Sequence, residues 1–216
     1  MANDVLSIDS TWDEATSAAS IYRETFVLPL FTAAGLNVND LSDSDANQQE
    51  AAQGVSDPSV IYVTGVCHGT SDAFTGDQDV PIFQTGSYAA DTFKGRIVHF
   101  LACNTALSLG RDIVASGGAK AFFGYNGLFT WPDDSSGQYS ALFFDCDAEI
   151  DRALVAGADA GTAMARAIAK YTAQISFLKG KGDTVSLNLA ALLEMNRDLL
   201  CGPTVDNEFG SAAAKL

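Results

Sequence analysis

Three short segments of the chain are almost entirely apolar and rich in β-branched or aromatic residues. They are residues 60–66 (VIYVTGV), 97–102 (IVHFLA) and 119–125 (AKAFFGY). Continuous apolar runs of this length are typical of strands in a parallel sheet whose two faces are both covered by helices. We therefore expect a buried parallel sheet built around these three segments.

The first third of the chain alternates between strand and helix patterns. Residues 5–8 predict a first strand, and apolar positions at three- and four-residue steps then predict a helix that ends at Gly35. Residues 38–41 predict a weak edge strand, and residues 42–53 predict an exposed helix. This alternation favours right-handed crossovers between parallel strands.

The second half continues the pattern with helices and one last strand. Helical periodicity covers residues 139–154, 164–175 and 185–195, and residues 199–203 predict a short final strand. The predicted fold class is therefore α/β, a three-layer α-β-α sandwich with a mostly parallel central sheet. We expect one domain over residues 1–210 and a small tail, residues 211–216, of the kind that an expression vector adds.

Composition narrows the range of partners. Asp and Glu number 27 against 12 Lys and Arg, so the formal charge of −15 repels nucleic acid and anionic membrane surfaces. The N-terminus lacks the basic start and apolar core of a secretory signal, and no apolar run is long enough to span a membrane, so we expect a cytoplasmic protein. The four cysteines have neither zinc-site spacing nor the density of a disulfide scaffold, so free thiols are expected.

The chemistry-bearing residues follow two of the predicted central strands. His68 and Gly69 follow residues 60–66, and Cys103 follows residues 97–102 and precedes a helix predicted over residues 104–116. Cysteine attacks a carbonyl as the thiolate, so it needs a base or a positive field nearby. His68 can act as that base, the N-terminus of the predicted helix favours an anion at Cys103, and Gly69 leaves its N–H free to approach a substrate oxygen.

These two motifs, VIYVTGVCHG at 60–69 and RIVHFLACN at 96–104, resemble those of the caspase-like (clan CD) cysteine peptidases. The pattern is closest to the bacterial gingipain and clostripain members, although their final strand often ends in Gly-Asp-Pro and here the Asp is absent between Gly202 and Pro203. The resemblance implies a caspase-like fold. It also implies His68 as general base, Cys103 as nucleophile, and the backbone of Gly69 and Cys103 as oxyanion hole. The implied activity is that of a thiol protease, a hydrolase that cleaves polypeptides through a thioester without a cofactor.

Finer expectations concern the histidine and the substrate pocket. Asp9 ends the first strand, which in this family lies beside the histidine strand, so Asp9 is a candidate for orienting His68. Acidic loops suggest cleavage after Arg or Lys. The candidate pocket residues are Leu101, Trp131, Asp72 and Asp133.

Several alternatives stay open at this point. The chain could be a catalytically silent caspase-like scaffold that binds a protein partner through the same crevice, and a regulatory protein partner is equally compatible with the peptidase. A doubly wound small-molecule binder would need a glycine-rich loop after the first strand, and none is present. Calcium could bind acidic residues 72, 77 and 79, although their spacing matches no full calcium loop. A zinc site from Cys67, His68, His99 and Cys103 is disfavoured because neighbours on a strand point to opposite faces.

Overall fold

The computed structural model describes residues 3–132, 137–204 and 208–216, and it has a mixed α/β fold. Its strands are β1 (Asp4–Asp9), β2 (Asn37–Ser42), β3 (Val60–Val66), β4 (His68–Gly69), β5 (Ala73–Thr75), β6 (Pro81–Gln84), β7 (Ile97–Leu101), β8 (Ala121–Tyr125) and β9 (Leu200–Cys201). Its α-helices are α1 (Glu14–Phe26), α2 (Leu28–Ala33), α3 (Gln48–Ser56), α4 (Leu109–Ala115), α5 (Ser140–Asp147), α6 (Glu149–Val155), α7 (Ala160–Lys181) and α8 (Thr184–Leu199).

Six strands form the central sheet in the order β2-β1-β3-β7-β8-β9. The first five are parallel to their neighbours, and only β9 runs antiparallel to β8. The predicted mostly parallel sheet is therefore confirmed, with β2 as the predicted edge strand. The three apolar segments of the sequence supply β3, β7 and β8 in the middle of this sheet.

Helices cover both faces of the sheet. Because side chains alternate along a strand, Ile97 and Phe123 face one hydrophobic cluster while Val98 and Phe122 face the other. The first cluster is completed by buried residues of α1, α2 and α5 to α8, and the second by residues of α3, α4, β5 and β6. None of the helices that the structure describes has the length and apolar content needed to cross a membrane.

Two predicted helices differ in the structure. The helix expected to continue to Gly35 is divided into α1 and α2 at Val27, because Pro29 lies in the first turn of α2 and has no N–H to bond to the preceding turn. The helix expected over residues 104–116 begins only at Leu109, and residues 103–108 form turns. Asn104 has a φ of 62°, a left-handed conformation through which a right-handed helix cannot continue.

A second, smaller sheet was not predicted. The hydrophobic pattern predicts no strand between residues 68 and 84, yet β4, β5 and β6 form a three-stranded antiparallel sheet there. Phe74 of β5 is fully buried and stacks on Phe100 of β7, with ring centroids 4.0 Å apart. The small sheet therefore packs on the central one and holds the residues that follow His68 in place.

The predicted tail packs against the domain. Ala214 is buried in the first hydrophobic cluster, and its carbonyl oxygen accepts a hydrogen bond from the N–H of Ala160 at 2.8 Å. The N–H of Ser211 donates to the carbonyl oxygen of Lys120 at 2.8 Å. Residues 211–216 are thus part of the folded unit.

Candidate active site

The two motifs lie at the carboxyl ends of neighbouring central strands. Val66 of β3 is paired with Leu101 of β7 in the parallel register. His68 follows Val66 by two residues, and Cys103 follows Leu101 by two residues. In an open parallel sheet, ligands and catalytic groups collect at the carboxyl ends of the strands.

Gly69 brings the two strand ends into direct contact. A Cβ atom placed on Gly69 would lie 2.4 Å from the backbone oxygen of Cys103 and 3.1 Å from Cβ of Ala102. Any side chain at residue 69 would therefore push the cysteine motif away from the histidine motif. Glycine at this position is required by the close approach of the two backbones.

The N–H of Gly69 points away from the small sheet. The N–H of Thr70 donates to the carbonyl oxygen of Ala73 at 2.9 Å, so residues 70 and 73 form a hydrogen-bonded pair where the chain turns from β4 into β5. In an antiparallel ladder the next pair, Gly69 and Phe74, is then non-hydrogen-bonded, and its N–H groups face outward. The small sheet therefore does not use the N–H of Gly69.

His68 is held by a carboxylate of the α1 N-terminus. Its Nε2 lies 2.6 Å from Oδ2 of Asp13, and about a third of each side chain is exposed. Asp13 is the N-cap of α1, and its Oδ1 accepts a hydrogen bond from the N–H of Thr16 at 2.9 Å. Burial raises the pKa of Asp13, but the hydrogen bonds from Thr16 and His68 outweigh it and hold the pKa below its usual value. The ionised carboxylate therefore accepts a hydrogen bond from the N–H of Nε2, which leaves the lone pair of Nδ1 free to accept a proton.

Asp9 does not orient His68, contrary to the sequence prediction. Its carboxylate is 1% exposed and pairs with Arg23, whose Nε lies 3.0 Å from Oδ1. The same oxygen accepts a hydrogen bond from the N–H of Val66 at 3.0 Å. A carboxylate buried this deeply needs a cation and N–H donors, and Arg23 and Val66 supply them. The interaction with His68 is made by Asp13 instead.

Cys103 lies outside any helix, which corrects the expected effect of a helix dipole. Five residues separate it from Leu109, the first residue of α4. Its Sγ donates a weak hydrogen bond to the carbonyl oxygen of Phe129 at 3.9 Å. Burial raises the pKa of the Cys103 thiol above the ordinary value. The thiol is therefore protonated near neutral pH, and its activation depends on transfer of the proton to a base.

A groove of about 720 Å³ lies between α1, α5 and the segment that contains Phe129. Its wall contains Trp131, one of the four residues that the sequence suggested for the substrate pocket. Leu101 is buried in the core and does not line the groove. Asp72 is exposed in the turn before β5, where it accepts hydrogen bonds from Thr70 and Gln84, and it is also absent from the groove. The fourth predicted pocket residue, Asp133, lies outside the described residues.

A buried ionic cluster lies beneath the sheet, and sequence analysis did not find it. His99 is fully buried in β7, with Nε2 3.3 Å from Asp147 and Nδ1 3.4 Å from Asp151. The hydroxyl of Tyr62 donates to Asp151 at 2.6 Å, and that of Tyr125 donates to Asp147 at 2.8 Å. Burial lowers the pKa of His99, but the two carboxylates outweigh it and raise the pKa to about 10.

Among the residues that the structure describes, this ionic cluster is the group of side chains that could hold a metal ion. Ligand atoms of His99, Asp147 and Asp151 lie within 4.8 Å of one another. Each imidazole nitrogen faces a carboxylate, however, so a protonated His99 already supplies the balancing positive charge. The zinc set considered from sequence does not form, because His99 faces these acids and Cys67 donates to the carbonyl oxygen of Ile8 at 3.6 Å.

Comparison with protein-family models found none that matches this chain, and comparison with curated proteins found no match either.

Proposed function

We propose that this protein is a caspase-like cysteine peptidase with His68 as general base and Cys103 as nucleophile. The observation that supports this most strongly is the contact between the two motifs at the carboxyl ends of the central strands β3 and β7. Gly69 lies against the backbone of Cys103, while a carboxylate holds Nε2 of His68.

In the proposed reaction, His68 removes the proton from the Cys103 thiol. The thiolate then attacks the carbonyl carbon of the scissile peptide bond, and a negative charge develops on the carbonyl oxygen. The N–H groups of Gly69 and Cys103 stabilise that charge. Collapse of the tetrahedral intermediate breaks the C–N bond, and His68 returns the proton to the leaving amine.

The second half of the reaction releases the acyl group. The first half leaves the substrate acyl group on Cys103 as a thioester. His68 takes a proton from a water molecule, which attacks the thioester carbonyl and releases a carboxylic acid and the free thiol. Asp13 stabilises the imidazolium that forms in each half, because its carboxylate is the hydrogen-bond acceptor for Nε2.

The proposed partner is a polypeptide substrate, and the residues assigned to this reaction require no metal or cofactor. The chain's formal charge of −15 disfavours nucleic acid and anionic membrane surfaces as partners. We place the activity in the cytoplasm.

A peptidyl chloromethyl ketone at low concentration tests the proposal, since it alkylates a cysteine much faster when it binds beside that cysteine as a substrate does. We expect one adduct per chain on Cys103, found by peptide mass spectrometry, and no adduct in Cys103→Ala or His68→Ala. Cys201→Ala, which removes another partly exposed thiol, serves as the control and retains labelling. Adducts spread over several cysteines would argue against a peptidase site.

A further inference from the structure

The groove reaches two segments that contact the proposed catalytic residues, although neither His68 nor Cys103 lines it. Its wall includes Glu14, whose chain neighbour Asp13 binds His68. It also includes Phe129, whose carbonyl oxygen lies 3.9 Å from Sγ of Cys103. A peptide whose carbonyl carbon reaches Cys103 therefore has side chains within reach of this groove.

Aromatic rings form much of the groove wall. Trp131 packs against Phe144 with ring centroids 5.3 Å apart and against Phe129 with centroids 5.6 Å apart. Tyr22 of α1 also packs against Phe144, with ring centroids 5.7 Å apart. These rings come from α1, α5 and the segment after β8, so the wall is assembled from three separate parts of the chain.

Apolar side chains of α1 add exposed surface to this groove. Ile21 is 62% exposed and Phe26 is 54% exposed, and both line it. Single exposed apolar residues are common, but here they adjoin a concave aromatic wall. A continuous apolar surface in a concavity next to nucleophilic chemistry is typical of a site that binds an apolar group.

The charges along the groove also favour binding of an apolar group. Glu14 is the only Asp, Glu, Lys, Arg or His among the described residues that line it. An acidic substrate side chain would thus meet no described cation there. A basic side chain would find one exposed carboxylate, and an exposed ion pair of that kind contributes little to binding.

We propose that the groove binds a large apolar side chain, aromatic or aliphatic, of a substrate residue adjacent to the scissile bond. This inference rests on the proposed peptidase function. It differs from the sequence-based expectation of a basic residue. Of the two acids expected in the pocket, Asp72 lies outside the groove and Asp133 lies outside the described residues.

Cleavage-site profiling of a synthetic peptide library with an Ile21→Glu variant tests this inference. Wild-type protein should enrich Phe, Tyr, Leu or Met at one position next to the cut bond. Because Ile21 is exposed, the substitution leaves the core intact and places a negative charge on the groove wall. We expect kcat/KM for the preferred peptides to fall about 10-fold or more. The matched control is Phe177→Glu, because Phe177 of α7 is 61% exposed and does not line the groove. This variant should retain the wild-type profile.

Binding to an inactive variant separates this inference from the peptidase proposal. We expect calorimetry with Cys103→Ala to show that acetyl-Ala-Ala-Phe-amide binds at least about 10-fold more tightly than the same peptide ending in Arg or Asp. If binding follows this order but the wild type cleaves no peptide, the peptidase proposal fails and the apolar subsite stands. A preference for Arg or Asp, or an Ile21→Glu profile identical to the wild type, overturns the subsite.

Discussion

The hydrogen bond between Nε2 of His68 and Oδ2 of Asp13 determines which imidazole nitrogen can act as a base. Asp13 is fixed independently of His68, because its other oxygen caps α1 through the N–H of Thr16. The carboxylate is therefore preorganised, and the helix start and the catalytic centre share one residue.

We expect Asp13→Asn to reduce kcat by about 100-fold while KM changes little. Asparagine keeps the N-cap but presents a neutral amide to Nε2, so it no longer stabilises the imidazolium. Steady-state kinetics across pH, with circular dichroism to verify the helix content, measures the effect. Asp72→Asn is the matched control and should behave as the wild type, because Asp72 is exposed and outside the groove. A kcat that survives in Asp13→Asn would show that Asp13 only caps the helix.

Sequence alone could have indicated Asp13 as a cap, but not as a partner of His68. Asp13 precedes the helical pattern and has Thr16 three residues later, a spacing that suits an N-cap. Asp9 was preferred because it ends a strand next to the histidine strand, and that placement is observed. The direction of its side chain toward Arg23 depends on tertiary packing of α1, which no local pattern shows.

Among the elements, the central strands were the most predictable. Strands β3, β7 and β8 are buried on both faces, and burial on both faces leaves a continuous apolar run in the sequence. Strands β4, β5 and β6 are short and border polar turns, so their sequence resembles a loop. The late start of α4 was missed because it depends on the left-handed conformation of Asn104.

The contact between β1 and β3 provides a test of the sheet. A Cβ atom on Gly65 would lie 2.1 Å from the backbone oxygen of Ile8, so Gly65→Ala must separate two paired strands. We expect the free energy of unfolding, measured by urea titration, to fall by about 2 kcal/mol or more. Gly180→Ala is the matched control, because Gly180 lies in α7 with no atom near its Cβ position. This control should be as stable as the wild type or gain up to ~1 kcal/mol. Equal stability of the two variants would contradict the described strand packing.

At the scale of the whole molecule, the ionic cluster around His99 connects the central sheet with helices that cover one of its faces. His99 belongs to the central sheet, whereas Asp147 and Asp151 belong to the helices that cover one face. The pKa of His99 is raised to about 10 in the folded protein, against about 6.5 in an unfolded chain. The stabilisation from the protonated imidazole is thus complete below pH ~6.5 and is lost as the pH rises toward 10.

We therefore expect the free energy of unfolding to decline from about pH 7 to pH 10, by at most about 1.4 kcal/mol per pH unit for this one group. Urea titrations at intervals over this range measure the decline. His99→Gln should remove most of the slope between pH 7 and 9, whatever its overall stability. A wild-type free energy that stays constant to pH 9 would contradict a protonated His99.

The central claim is that His68 and Cys103 together hydrolyse peptide bonds, and turnover of a peptide library tests it most directly. Wild-type protein, Cys103→Ala and His68→Ala are incubated with the same library, and the new termini are identified by mass spectrometry. Because nucleophile and base act as one unit, each variant alone should abolish cleavage, and the double variant should be no worse. Cleavage that persists undiminished in Cys103→Ala, or its absence from the wild type, would contradict the claim.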